Sequence, residues 1–384
     1  MYGRRGYRVT ADGTSFLGQR HGWAIAALIF WCAWAFPAQW KTPPEYLHRV
    51  DLRNPRVSGP ADVMLLQRAV EDCRQAVTLM RAGGAARIPD DFRGWALRQI
   101  AWWTTLGEWF YGDAPMHYAA GVVCCGGLAR GAAKQLIVKA AEDVRRYLSQ
   151  SFGLPSPRYA LFVRLFDDYT TLPVAVAQEF AQHRGLSSVS GLTLPPRFIV
   201  IPTVLPARHF WSPDEQLVGK DGRILSLLTF RDIVYHEMVH GLVMSIIDEA
   251  RGERGLARLS DFPSWLHEGL AVYVTEKLRI EPGTKPAEYY RWAGPLHYLE
   301  DEWGEGTLQD FVRTAIVDSY PRALDIIPMD EARLLELGEQ HMRRPPSVRS
   351  VVRALGYFLG FLGALLLLAL TPAAVGWAWQ IARR

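Results

Sequence analysis

The stretch that decides the fold runs from Asp232 to Gly241 and reads D-I-V-Y-H-E-M-V-H-G. It contains the pattern H-E-x-x-H. Residues four apart lie on one face of an α-helix, so the imidazoles of His236 and His240 can reach the same metal ion. Glu237 projects beside that face, where it can accept a proton from water. The pattern predicts a helix that binds Zn²⁺ through His236 and His240, with Glu237 as the catalytic base.

The residues around this motif are almost all apolar, which predicts a helix that is buried nearly all round. Two histidines and a glutamate in such a helix would each cost several kcal/mol to desolvate if they had no partner. A metal site accounts for all three. The alternative is a chance match, which the helical and apolar setting disfavours. The apolar residues are Ile233, Val234, Val239, Leu242, Val243, Ile246 and Ile247.

A catalytic zinc needs a third protein ligand and an open position for water. The metzincin pattern would place glycine at 243 and histidine at 246, and this chain has Val243 and Ile246 there. Further along, residues 264–273 read S-W-L-H-E-G-L-A-V-Y. Pro263 marks a helix start, so Glu268 falls in the first or second turn of the helix that follows. Glu268 is therefore the candidate third ligand.

Together the two segments resemble the gluzincin peptidases, which include the aminopeptidase N-type and "peptidase MA-like" families. The second zinc helix of those families reads approximately W-L-x-E-G-x-A. Residues 290–311 also look like the helix and turn that follow this helix in the family, whereas the N-terminal part of the chain lies outside the resemblance. The matching residues of the second helix are Trp265, Leu266, Glu268, Gly269 and Ala271.

The resemblance implies a zincin-like fold, Glu268 as the third zinc ligand, and hydrolysis of peptide bonds by a zinc-activated water. Tyr290 and His297 are candidates for the residue that stabilises the oxyanion, with packing as the alternative for each. His267 should point away from the ligand face of its helix. Val272 stands where thermolysin-like and prenyl-protease-like members have an aspartate. The amine-binding motif G-x-M-E-N of aminopeptidases is absent, which favours an endopeptidase.

Strands are predicted at 159–166 and 197–201, both bounded by prolines or aspartates, and strong helical patterns follow from Leu225. Strands followed by helices predict an α+β fold. Its catalytic domain, a small sheet with the zinc-binding helices, is expected over 131–320. Apolar residues at helical spacing predict an α-helical region over 61–130 in front of it.

Two uncharged apolar segments, 22–40 and 354–380, are each long enough to cross a bilayer as a helix. We therefore expect a membrane-localised protein whose folded part is bracketed by two transmembrane helices. A basic segment 1–21, a Pro-rich linker 41–60 and a basic linker 321–353 complete the predicted organisation. A cleaved signal peptide is the alternative for the first segment. The flanking arginines and lysines do not decide orientation, and an extracytoplasmic catalytic domain is favoured because the first helix resembles a signal anchor.

The charge composition indicates which classes of binding partner to expect. The net charge is only +4 and the arginines are scattered, so a nucleic-acid partner is not expected. The expected partners are a peptide or protein substrate and the lipid bilayer. The cysteines show no C-x-x-C spacing, and a disulfide between Cys73 and Cys124 or Cys125 stays open.

Two alternatives to a zinc metallopeptidase remain at this point. The first is a catalytically inactive membrane scaffold, or partner-binding protein, that keeps the zinc fold without turnover. The second is a partner-binding protein whose zinc site is structural. A structural zinc site predicts unfolding when the metal is chelated, whereas a catalytic site should lose activity and keep most of its fold.

Overall fold

The computed structural model shows an α+β fold, mostly helical, around one mixed sheet of five strands. The α+β part of the predicted fold class is therefore confirmed. For residues 179–182, 216–218, 224–228 and 287–290 only the backbone is described. The described residues are 40–112, 115–125, 131–166, 171–182, 191–194, 196–202, 216–218, 224–252, 262–280 and 287–343.

Prolines stand at or just before the first residue of several helices, where the missing N–H costs no intrahelical hydrogen bond. The helices are α1 (Pro44–Leu47), α2 (Pro60–Arg81), α3 (Asp90–Trp102), α4 (Glu108–Tyr111), α5 (Gly131–Phe152), α6 (Val174–Gln182), α7 (Phe230–Arg251), α8 (Ser264–Lys277), α9 (Ala287–Tyr298), α10 (Glu305–Val317), α11 (Tyr320–Leu324) and α12 (Glu331–Arg343). The strands are β1 (His117–Ala119), β2 (Val122–Cys125), β3 (Leu161–Phe166), β4 (Leu192–Leu194), β5 (Phe198–Pro202), β6 (Gln216–Val218) and β7 (Ile224–Thr229). Short π-helical turns, Trp103–Gly107 and Leu299–Trp303, follow α3 and α9.

The main sheet has the strand order β1-β2-β3-β5-β4, and β6 pairs with β7 in a separate ribbon. The three inner strands are parallel, while β1 and β4 are antiparallel to their neighbours. Inner parallel strands are covered on both faces, and the near-continuous apolar sequences of β2, β3 and β5 suit that position. One core contains residues of α5, α7, α8 and α10, and the other contains residues of α2 and α3.

Residues 116–128 were predicted to be helical, but the described ones form the two short strands β1 and β2. Ala120 and Gly121 both adopt positive φ, 47° and 74°, and so make the tight turn of a β-hairpin between β1 and β2. Val122 and Val123 then pair with Leu161 and Phe162 of β3. β-Branched residues favour such a buried strand over a helix. The sheet thus includes strands from residues that the sequence assigned to a helical region.

The predicted transmembrane helices require a correction. Among the residues that the structure describes, none of the helices has both the length and the apolar character that a bilayer crossing requires. The longest ones, α2, α5 and α7, have 22 residues each, but charged side chains interrupt all three. The membrane-bracketed fold class and the membrane localisation with an extracytoplasmic domain are therefore not supported. The two predicted spans, 22–40 and 354–380, lie outside the described residues except for Trp40, which is not helical.

The packing of α8 against α9 is tight at Gly269, the residue after Glu268. A Cβ at this position would overlap the backbone carbonyl oxygen of Trp292 and lie 2.9 Å from its carbonyl carbon. Backbone atoms cannot move aside cheaply, so the glycine sets the distance between the two helices. Close packing of α8 against α9 therefore explains why this chain has glycine at position 269 of the W-L-x-E-G pattern.

We expect Gly269→Ala to lower the free energy of unfolding by about 1–3 kcal/mol, because overpacking forces the backbones of α8 and α9 apart. Chemical denaturation followed by tryptophan fluorescence measures this loss. Gly306→Ala is the matched control, since a Cβ at Gly306 in α10 meets no atom within 4 Å. The control should leave stability unchanged or raise it slightly. Equal stability of the two variants would contradict the tight helix contact.

Candidate metal centre

Helix α7 is fixed at both ends and carries the H-E-x-x-H motif in its middle. Thr229 caps its N-terminus in a reciprocal capping box with Asp232, and Gly252 ends it with φ 64°. At Gly241 the helix lies against the sheet so closely that a Cβ would be 2.6 Å from the Cδ1 of Ile199. The buried helix therefore has a defined position over β3 and β5.

The structure brings the three predicted ligands together. The Nε2 atoms of His236 and His240 are 3.0 Å apart, and Oε2 of Glu268 lies 3.2 Å from the first and 3.5 Å from the second. These are the only residues in the described part of the chain that form such a group of three possible metal ligands. The two histidines are buried, and the Glu268 side chain is 30% exposed.

The spacing of these three atoms fits a zinc ion. Zinc binds histidine nitrogen and carboxylate oxygen at about 2.0–2.2 Å in a tetrahedral arrangement, which places neighbouring ligand atoms about 3.3 Å apart. The observed separations of 3.0, 3.2 and 3.5 Å lie around that value. Two imidazoles and one carboxylate are also a ligand set of catalytic zinc sites, which leaves the fourth position for water.

The electrostatics of Glu268 suit a ligand that must be ionised. Burial by itself would raise the pKa of this carboxyl group. The charge of His240 and the hydrogen bonds with His236 and His240 outweigh burial and hold the pKa well below its ordinary value. Glu268 is therefore a carboxylate at neutral pH, available to a cation.

Glu237 lies beside the three ligands and is itself buried. Burial raises its pKa to about 7, against the charge of His240 and a hydrogen bond from Thr193, which lower it. The Thr193 hydroxyl donates to Oε2 of Glu237 at 2.8 Å. Gly191, just before β4, leaves room for the side chain, since a Cβ there would lie 2.7 Å from Cδ of Glu237. The edge strand β4 thus holds the predicted base.

His267 is not one of the three possible ligands, but its side chain does not point away from them as the sequence predicted. Its ring stacks on the ring of His240, with centroids 3.9 Å apart and an angle of 28° between the planes. Burial, with the charge of His240 added, lowers the pKa of His267 well below its ordinary value. No local pattern in the sequence predicts this contact.

The two predicted oxyanion candidates are placed differently. His297 lies with its Nε2 2.8 Å from Oε2 of Glu276 and its ring centroid 5.0 Å from that of Tyr273. Glu276 follows Glu268 by two helical turns, about 12 Å along the axis of α8. The structure therefore does not bring His297 to the three ligands. Tyr290 belongs to α9, but its side chain lies outside the described residues, and its role stays a prediction.

The residues that sequence reasoning missed are Gly191, Thr193 and the stacking role of His267. β4 is only three residues long, so it carries too few alternating positions to be recognised as a strand. Its contact with Glu237 joins residues 44 apart in the chain. The one available sign of this strand was the segment Leu192-Thr193-Leu194, which follows Gly191 and alternates apolar and polar residues.

Comparisons with known proteins assign no family to this chain. No family model matches it, and no curated protein matches it significantly.

Proposed function

We propose that this protein is a zinc-dependent peptidase, and an endopeptidase within that class. The observation that carries the proposal is the convergence of His236, His240 and Glu268 at zinc-ligand spacing, with the buried carboxyl group of Glu237 beside them. The resemblance of the two helices to gluzincin motifs supports the same reading. The three ligands alone would support metal binding only; the carboxyl group of Glu237 beside them is what supports hydrolysis.

The residues divide the chemistry between them. His236, His240 and Glu268 would hold the zinc ion, which when bound supplies a Lewis acid for carbonyl polarisation and water activation. Glu237 accepts the proton of the attacking water and delivers it to the amine that leaves. Thr193 holds one oxygen of the Glu237 carboxylate and leaves the other for this proton transfer.

Peptide as the substrate class is supported by the position of β4. This strand is at one edge of the main sheet and also contacts Glu237 through Thr193. An extended peptide can add to a sheet edge through backbone hydrogen bonds. A peptide lying along β4 would pass directly beside the base and the three ligands.

The test is to measure metal content, casein hydrolysis and peptide-library hydrolysis together on the purified full-length chain. We expect stoichiometric zinc, hydrolysis that a chelator abolishes and added zinc restores, and a circular dichroism spectrum that chelation leaves largely unchanged. Absence of bound metal would refute the proposal. Bound metal without hydrolysis would favour an inactive scaffold, and unfolding on chelation would favour a structural zinc site.

Thr193→Val should lower kcat about 10- to 150-fold, because a hydrogen bond to a charged group contributes about 1.5–3 kcal/mol and the carboxylate loses its orientation. KM should change little, since Thr193 holds the base and not the substrate side chains. Thr193→Ser keeps the hydroxyl and should retain most of the activity. Steady-state kinetics on a fluorogenic peptide measures both constants. Thr78→Val is the control, since Thr78 bonds only a carbonyl of its own helix. Equal kcat for the Val and Ser variants would contradict this role.

A further inference from the structure

His240 differs from the usual metal-binding histidine in how its ring is held. Such a histidine almost always donates its second ring N–H to a carboxylate, a carbonyl or water, which fixes the orientation of the ring. The Nδ1 atom of His240 is buried and has no hydrogen-bond partner among the described residues. The orientation of this ligand must therefore come from contacts with the faces and edges of its ring.

Two rings surround His240. The ring of His236 meets it at 88° with centroids 4.6 Å apart, which is an edge-to-face contact. The ring of His267 covers one face at 3.9 Å and 28°. A flat ring at this distance prevents the imidazole of His240 from turning about its Cβ–Cγ bond, because the turned ring would overlap it.

His267 is itself well placed for this contact. It lies in the first turns of α8, where its backbone N–H donates to the carbonyl of Pro263 at 3.1 Å. Phe262 meets its ring edge to face, with centroids 6.0 Å apart. The next residue along the chain is Glu268, so the backbone that carries the third ligand also carries the ring that holds the second one.

We propose that His267 is a positioning residue of the metal centre, and that it orients His240 by ring stacking. It takes the place of the hydrogen bond that His240 lacks, and it fixes the distance between Glu268 and the two histidines. The inference rests on the proposed zinc site but not on peptide hydrolysis. The feature required of residue 267 is a flat ring, not a ring nitrogen.

The test compares zinc affinity in the full-length chain, the His267→Ala variant and the His267→Phe variant, by competition with a chromogenic chelator. Loss of a contact that orients a ligand typically weakens metal binding 10- to 100-fold, and we expect a loss of this size for the Ala variant. The Phe variant, which keeps a flat ring, should bind zinc nearly as tightly as the unmodified chain. His341→Ala, the same kind of change on α12, is the control and should leave the affinity unchanged.

Cobalt(II) provides a second readout, because its visible absorption reports the geometry of its ligands. The Ala variant should show an altered spectrum, and the Phe variant the spectrum of the unmodified chain. Thermal unfolding of the metal-free variants separates a local change from a loss of the fold. Unchanged zinc affinity in the Ala variant would overturn the inference, as would an equal loss in both variants. Zinc binding that follows the expected pattern without any hydrolysis would instead overturn the proposed function and leave the positioning role standing.

Discussion

Replacing Glu237 with glutamine is expected to reduce peptide hydrolysis by about 10²- to 10⁴-fold, the range that a positioned general base contributes. Glutamine has nearly the same shape as glutamate, and its side-chain oxygen can still accept the hydrogen bond from Thr193. It cannot accept the proton of the attacking water. Because Glu237 is outside the group of three ligands, zinc content should stay stoichiometric. Hydrolysis of a fluorogenic peptide and metal analysis on the same preparation measure both results.

The matched control for this change is Glu276→Gln on α8. Glu276 is also a largely buried carboxylate next to a histidine ring, since Oε2 lies 2.8 Å from Nε2 of His297. It has no contact with the three ligands, so its variant should keep most of its activity. A Glu237→Gln variant as active as the unmodified protein would exclude the proposed base. Loss of zinc from that variant would assign Glu237 to metal binding.

The parts of the site that sequence reasoning could predict are the parts that local periodicity defines. His236 and His240 are one helical turn apart, so their common face follows from the geometry of any α-helix. Glu268 follows from a helix start and a family-like pattern around it. The convergence of α7 and α8 on one point depends on packing of apolar side chains over the sheet, and only the structure shows it.

The contacts that sequence reasoning could not predict join residues far apart in the chain. Thr193 contacts Glu237 from a three-residue edge strand, and β2, in the hairpin before residue 126, pairs with the parallel strand β3. The apolar residues of β2 are too few for their periodicity to distinguish a helix from a strand. The membrane prediction rested on local hydropathy alone, and no helix in the described part of the chain supports it.

The ion pair between Arg197 and Asp248 is a second contact of this long-range kind. Asp248 lies two turns after His240, too far along α7 to reach the candidate metal centre, and its carboxylate accepts from Nη2 of Arg197. The Arg197 side chain is fully buried, and that of Asp248 is 7% exposed. Arg197 precedes β5, and its Cζ also lies 5.3 Å from the ring centroid of Tyr159. The pair therefore joins the C-terminal part of helix α7 to the sheet.

We expect Arg197→Met to lower the free energy of unfolding by about 3–5 kcal/mol, because it leaves the buried carboxylate of Asp248 without its cation. The double variant Arg197→Met with Asp248→Leu should recover most of this loss, since an apolar pair of similar volume removes the unpaired charge of Asp248. Glu249, which lies 3.6 Å from Nη1 of Arg197, keeps the hydrogen bonds that it accepts from the backbone N–H groups of Arg158 and Tyr159. Urea unfolding followed by tryptophan fluorescence gives the free energies of unfolding of the unmodified chain, the two single variants and the double variant.

Arg333→Met is the control for this cycle. The partner of Arg333 is Glu336, and both side chains are more than half exposed. An exposed pair of this kind contributes at most about 1 kcal/mol. If Arg197→Met costs no more than this control, the ion pair does not fix α7 to the sheet. If the double variant is as unstable as Arg197→Met, the loss comes from the other contacts of the arginine, with Tyr159 and Glu249, and not from the unpaired carboxylate of Asp248.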